Sequence, residues 1–233
     1  MSQSGSRRGR RHNAEGARET ILNAATEVFA AHGFDGARVD AIAAVAGYNK
    51  SLIFQYFGDK LGLYVEVIRR ADDRTRDMQT QAIALLTEGD AARSPEQVAP
   101  LLKRFMGEIF DFYMEHPQMT RIFLWEMAEG WQTYGKIASR LDISDIEMLR
   151  PLLSTIKDAG LLRSDFDPMI QIGIAEFMSV LFLACVPLFQ MFLPTEGLPS
   201  PEAMARGREF IIEFITRGLL TDPRTLMPRR GGT

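Results

Sequence analysis

The chain has 233 residues, 46% hydrophobic and 24% charged, with 27 Lys plus Arg against 30 Asp plus Glu and a formal charge of −3. That balance excludes collagen-like, disulfide-stapled and wholly disordered proteins. The slightly acidic total also excludes a uniformly basic coat for nucleic acid.

In chain order, residues 1–13 set Arg7, Arg8, Arg10 and Arg11 among Ser, Gly and Gln, which reads as a disordered basic arm. No apolar stretch follows, so no secretion signal is expected. From Glu15 the pattern turns helical, with Ile21, Ala24, Ala25, Val28 and Phe29 on one face, and it stops at His32-Gly33. A short helix over about 39–46 turns Val39, Ile42, Ala43 and Ala46 inward and ends at Gly47. Another spans about 50–57, with Asn49 as its cap and Ile53 and Phe57, four apart, as its anchors. Asp59 caps a long helix whose apolar positions Leu63, Tyr64, Val67, Ile68, Ala71, Met78, Ala82 and Leu85 keep the 3.6 period.

Further helices are predicted near 95–115, 118–140, 144–159, 167–193 and 201–219. Ser94-Pro95, Asp167-Pro168 and Ser200-Pro201 pair a capping residue with a first-turn proline at three of their starts. No strand pattern survives inspection, so the fold class is all-α. The expected organisation is a basic arm over 1–13, a helix-turn-helix domain over 14–60, a helical domain over 61–222 and a flexible tail over 223–233.

Several function classes fall away. The single cysteine, Cys185, allows no internal disulfide and suits a reducing cytoplasm. His12, His32 and His116 have no second ligand at metal spacing, and no phosphate loop, nucleophile elbow or Cys-x-x-Cys is present. No catalysis, metal or cofactor is therefore expected. Met169–Leu193 is long enough to span a bilayer, and a membrane-attached helical sensor anchored by 169–193 is the alternative reading. Gln171, Glu176, Ser179, Pro187 and Gln190 interrupt the run, and no Lys or Arg cluster flanks it, so a buried soluble helix is preferred and no membrane is expected.

Two short helices joined at Gly47 suggest a helix-turn-helix, because the turn needs a residue that tolerates positive φ. Anchoring through Ile53 and Phe57 leaves Lys50, Ser51 and Gln55 free for a major groove, which admits one helix. The spacing Ile42-Ala43-x-x-Ala46-Gly47-x-x-Lys50-x-x-Ile53-x-x-Tyr56-Phe57-x-Asp59-Lys60-x-x-Leu63 resembles the TetR/AcrR family of bacterial transcriptional regulators. The specific part covers about residues 15–65.

The resemblance implies a homodimer that places two recognition helices on operator DNA, with a small ligand in the C-terminal domain changing their spacing. It puts Tyr48, Lys50 and Tyr56 near DNA and makes Lys60 a phosphate contact. Ala37-Arg38 stands where the family usually has two Thr or Ser before the second helix, losing a cap and offering Arg38 to phosphate. Leu52 and Phe54 replace Thr and Tyr, and Leu52 can instead meet a thymine methyl. The expected DNA contacts are Arg38, Tyr48, Asn49, Lys50, Ser51, Leu52, Gln55, Tyr56 and Lys60.

Phe105, Ile109, Phe123, Met127, Trp131, Phe177 and Met178 fall at helical spacings. They read individually as core and together as the lining for a small lipophilic effector. Glu126 and Glu176 are polar exceptions in these runs, and each needs a partner. Arg121, Arg150 or a cationic ligand are the candidates, an internal ion pair being preferred. The last two helices are apolar beyond one subunit's need, which suits a homodimer formed through them. The expected protein is thus a cytoplasmic, ligand-responsive repressor of a palindromic operator. Charge supports that polarity: residues 1–60 carry eight Lys plus Arg and six acids (+2), and residues 61–233 carry 19 and 24 (−5).

Overall fold

A computed structural model describes residues 4–87, 89–141, 144–163 and 165–221. Among them run α1 (Ser4–Gly36), α2 (Val39–Ala46), α3 (Lys50–Phe57), α4 (Lys60–Thr87), α5 (Pro95–Glu115), α6 (Pro117–Ala128), α7 (Gln132–Ile137), α8 (Ser144–Asp158), α9 (Pro168–Phe192) and α10 (Pro201–Leu219). The fold is all-α, and one isolated bridge between Leu162 and Leu220 is the extended pairing recorded among these residues. The predicted tail over 223–233 lies outside them, as do residues 1–3. The backbone is helical from Ser4, earlier than the predicted start at Glu15. Extending a helix that already exists adds one hydrogen bond per residue fixed and avoids the cost of a new nucleus.

The helices gather into two compact units, Met1–Asp73 with Pro117–Asp142, and Arg74–His116 with Ile143–Thr233. α6 packs on α1 and so joins the first unit. α4 begins in the first unit and ends in the second.

In the first unit the rings of Phe29, Phe34 and Tyr64 form a cluster, Phe29 meeting Tyr64 edge-on at 4.9 Å. Ile21, Ile42, Ile53 and Leu63 complete a core in which each fully buried large side chain contributes about 1.5–3 kcal/mol. The regular run of α1 breaks at Gly33 (φ 66°, ψ 179°), as the sequence predicts. A side chain there would also meet the indole of Trp125 at 3.1 Å. That indole donates from Nε1 to the Ala30 carbonyl (3.2 Å), satisfying an acceptor at the helix end.

The helix expected over 118–140 is two helices. Gly130 and Trp131 both take positive φ (68° and 60°), so α6 ends and α7 starts on a different axis. Glu126 holds this elbow. Its carbonyl accepts from the Trp131 amide (2.8 Å), its Oε2 accepts from the Tyr134 amide (3.0 Å), and its Oε1 accepts from the Tyr64 hydroxyl (2.6 Å). The expected arginine partner is therefore replaced by a tyrosine and a backbone N–H, which satisfy the carboxylate without burying a second charge.

In the second unit α5 packs against α9 and α10. Arg208 of α10 makes a bidentate pair with Asp111 of α5 at 2.6 and 2.7 Å, crossing above Gly107, where a Cβ would lie 2.6 Å from the guanidinium. Gly207 gives Phe182 its place in the same way. Glu176 accepts from the Tyr113 hydroxyl (2.7 Å), again in place of an arginine. Asp167 and Ser200 cap α9 and α10 as predicted, whereas Ser94 turns its hydroxyl to Glu96 (2.8 Å) and leaves the first amides of α5 uncapped by it.

Candidate nucleic-acid interface

The turn between α2 and α3 is built as the residue types require. Gly47 sits at φ 71° and closes α2 by donating its N–H to the Ala43 carbonyl. Asn49 then starts α3, its Oδ1 accepting from the Leu52 amide at 2.8 Å. Arg38 occupies the N-cap of α2 with no side-chain cap bond, which leaves its guanidinium exposed.

α3 presents two contrasting faces. Ile53 (1% exposed) and Phe57 (8%) lock it to the core, as their four-residue spacing predicts. Lys50, Ser51, Phe54 and Gln55 face outward, with Leu52 and Tyr56 half-buried beside them. The exposed set holds a cation, a hydroxyl and an amide, the donors and acceptors suited to base edges and phosphates. Phe54, at 39% exposure, adds an apolar surface that the sequence reading left out of the contact set.

The two lysines bracketing α3 are already engaged. Lys50 Nζ lies 3.1 Å from the Asp40 carboxylate of α2 and 5.9 Å from the centre of the Phe54 ring. Lys60 donates to the Asp35 carbonyl (3.3 Å) and sits 4.5 Å over the Phe34 ring. Burial pushes the Lys60 pKa down, with the charge of Asp35 opposing. Neither acid was legible as a partner. The separations of ten and twenty-five residues acquire meaning only once the turns are in place.

The start of α4 is held just as closely. Asp59 caps it by accepting from the Gly62 amide (2.6 Å), and a Cβ on Gly62 would fall 2.1 Å from the Phe57 carbonyl oxygen. The placing of Lys60 relative to α3 therefore depends on a glycine two residues later. Arg18 of α1 reaches the same region, 5.4 Å over the Phe57 ring and ion-paired with Glu66.

Residues 21–67 match the family model of bacterial regulatory proteins of the TetR family. The transcriptional repressor NicS of Pseudomonas putida is 30% identical over 158 residues, covering 67% of this chain and 70% of that one. The transcriptional activator FasR of Mycolicibacterium smegmatis is 38% identical over 158 residues, 67% of each. The chain belongs to the TetR family. The fold agrees: a TetR family transcription regulator from Marinobacter aquaeolei superposes with a TM-score of 0.63, covering 91% of this chain and all of that one at 21% identity.

As a TetR-family member the protein is a transcriptional regulator and not an enzyme. Among the described residues no three His, Cys, Asp or Glu side chains group closely enough to hold a metal ion. The predicted effector-lining residues divide between the two units: Phe123, Met127 and Trp131 lie in the first, and Phe105, Ile109, Phe177 and Met178 in the second. In the first unit Trp131 meets Phe123 and Tyr134 edge-on at 6.0 and 5.9 Å. In the second, Ile109 is buried, and Phe105 borders a small crevice of about 10 Å³ shared with Leu85, Leu101, Arg104 and Glu108. One turn along α9 from Glu176, the Ser179 hydroxyl is buried with no partner among the described residues.

Proposed function

We propose that this TetR-family regulator is a cytoplasmic repressor that binds a palindromic operator as a homodimer and releases it when a small lipophilic effector binds. The observation that carries DNA recognition is the outward face of α3, where Lys50, Ser51 and Gln55 are exposed to solvent while Ile53 and Phe57 fix the helix. Arg38, Tyr48, Asn49, Leu52, Tyr56 and Lys60 complete the proposed contacts. In a dimer the two copies of α3 enter successive major grooves about 34–36 Å apart, or a multiple of that. The proposed domains are DNA-binding over 14–60 and effector-binding and dimerising over 61–222.

Dimerisation through α9 and α10 is supported by their exposed apolar residues, among them Ile174, Leu181 and Leu188 on α9 and Phe210 and Phe214 on α10. Contiguous surfaces of this kind mark interfaces. α9 is also long and apolar enough to cross a membrane by length and composition, with mean hydropathy 2.2, but the family membership favours a subunit contact. The orphan Ser179 hydroxyl and the Glu176 carboxyl supply polar points in an otherwise apolar helix, suited to orienting an effector.

Repression is the reading supported by the NicS likeness, and FasR shows that the opposite sign occurs among relatives. The test is selection of bound duplexes from a random pool, repeated with candidate lipophilic compounds, followed by a reporter carrying the selected site. Enrichment of a near-palindrome, loss of binding with compound and a silenced reporter are expected. Failure to enrich any sequence overturns the assignment, and an induced reporter overturns repression.

A further inference from the structure

Binding DNA requires cations at the interface, yet Lys50 already has an internal counter-ion. Its Nζ lies 3.1 Å from the Asp40 carboxylate, with side-chain exposures of 45% and 74%. The pair joins the first turn of α2 to the first turn of α3, across the helix-turn-helix elbow. The Phe54 ring beside Lys50 narrows the region its ammonium can sweep. Lys60 repeats the arrangement more weakly, bonded to the carbonyl of Asp35 and within the field of that residue's carboxylate.

We propose that Asp40 is a specificity-determining residue of the interface, holding Lys50 as an internal ion pair that a phosphate or base must displace. The proposal rests on the assignment of the α3 outer face to DNA. When Lys50 transfers to a phosphate, one condensed cation leaves the duplex, but Asp40 is left bare in a strongly negative field. It must then recruit a cation from solution, so the two exchanges cancel. Lys50 thus contributes little to binding that depends on charge alone. It contributes where base contacts from α3 hold the duplex in register and add free energy that charge does not supply. Non-specific binding is essentially all electrostatic and specific binding is not, so the acid lowers the former more than the latter.

The test uses the full chain with the duplex selected above and a scrambled duplex of equal length, titrated over a range of salt. Asp40→Asn is expected to tighten binding to the scrambled duplex about two- to fivefold at low salt, the scale of an exposed ion pair. It is also expected to steepen the salt slope by up to about 0.9 and to reduce the ratio of specific to non-specific affinity. Asp40→Ser removes the charge while keeping a residue suited to a helix start, and should give the same result. The gain should shrink in a Lys50→Gln background. An unchanged slope with unchanged or weakened affinity in both Asp40 variants would overturn the proposal, since Asp40 would then be inert or would be positioning Lys50. Lys50→Gln alone separates the two levels. Its weakening of binding to the selected duplex leaves the DNA face standing whatever Asp40 does, whereas no effect on that duplex removes Lys50 from the face and this inference with it.

Discussion

Lys60 approaches DNA, on the proposed reading, from a seat over Phe34 and against the Asp35 carbonyl, so only part of its charge is available without rearrangement. Lys60→Ala is expected to weaken binding to every duplex alike and to lower the salt slope by about one. Gln55→Ala should instead change which base is preferred, seen by repeating the selection with the variant. Glu176 supplies a pH-dependent prediction of known sign. Burial pushes its pKa up, so the folded chain retains a proton that the unfolded chain releases. Its contribution is complete below the ordinary carboxylate value of 4.5 and is lost as pH rises through the raised value. Glu176→Gln keeps an acceptor for the Tyr113 hydroxyl, and its stability relative to the parent should grow with pH above about 4.5. Denaturant midpoints over a pH series read this directly; a flat difference would mean that Glu176 carries no such penalty.

Which residues touch was only partly legible. Asn49 could be recognised as a cap because capping depends on residue type and a local spacing of three. The partners of Glu126 could not, because Tyr64 lies sixty-two residues away and an arginine is the commoner guess for a buried acid. Tyr64→Phe tests that bond. It leaves one carboxylate oxygen unpaired in the core and should cost about 1–3 kcal/mol in unfolding free energy.

At the level of elements, the helix-turn-helix was readable almost to the residue, since α2 and α3 are short, strongly patterned and punctuated by Gly47 and Gly58. The elbow between α6 and α7 was not. Gly130 marked it, but a lone glycine inside a helical pattern is a weak stop, and Trp131 at positive φ goes against its residue type. Among the described glycines the least room for a Cβ is at Gly62, where the first turn of α4 passes the last carbonyl of α3. The opposing atom is backbone and cannot swing aside, so Gly62→Ala should destabilise the fold by about 1–3 kcal/mol. It should also weaken DNA binding beyond the unfolded fraction, because Lys60 would be displaced from α3. Calorimetry alongside DNA titration separates the two effects.

For the whole molecule, the proposed dimer depends on apolar residues that the single chain leaves in water. Phe210→Glu with Phe214→Glu places two acids on the exposed face of α10. Sedimentation should then give a monomer with unchanged helical content, and binding to a palindrome should fall to the level of a half-site. A dimer that persists through both changes would place the interface elsewhere. The sequence conveyed the excess apolarity of the last two helices. It did not convey which side of each helix remains bare, because that depends on how α5 packs against them.

The α6–α1 contact also bears on how such regulators can be recombined. A hybrid made by joining the first sixty residues of this chain to the remainder of another family member would leave behind the Trp125 indole that closes α1 and the face of α6 that packs on it. The graft that retains both takes residues 1–73 together with 117–142, two segments separated in sequence but joined in packing. Exchange of DNA specificity by a single crossover is therefore expected to produce poorly folded chimeras, and exchange by a double crossover to produce working ones.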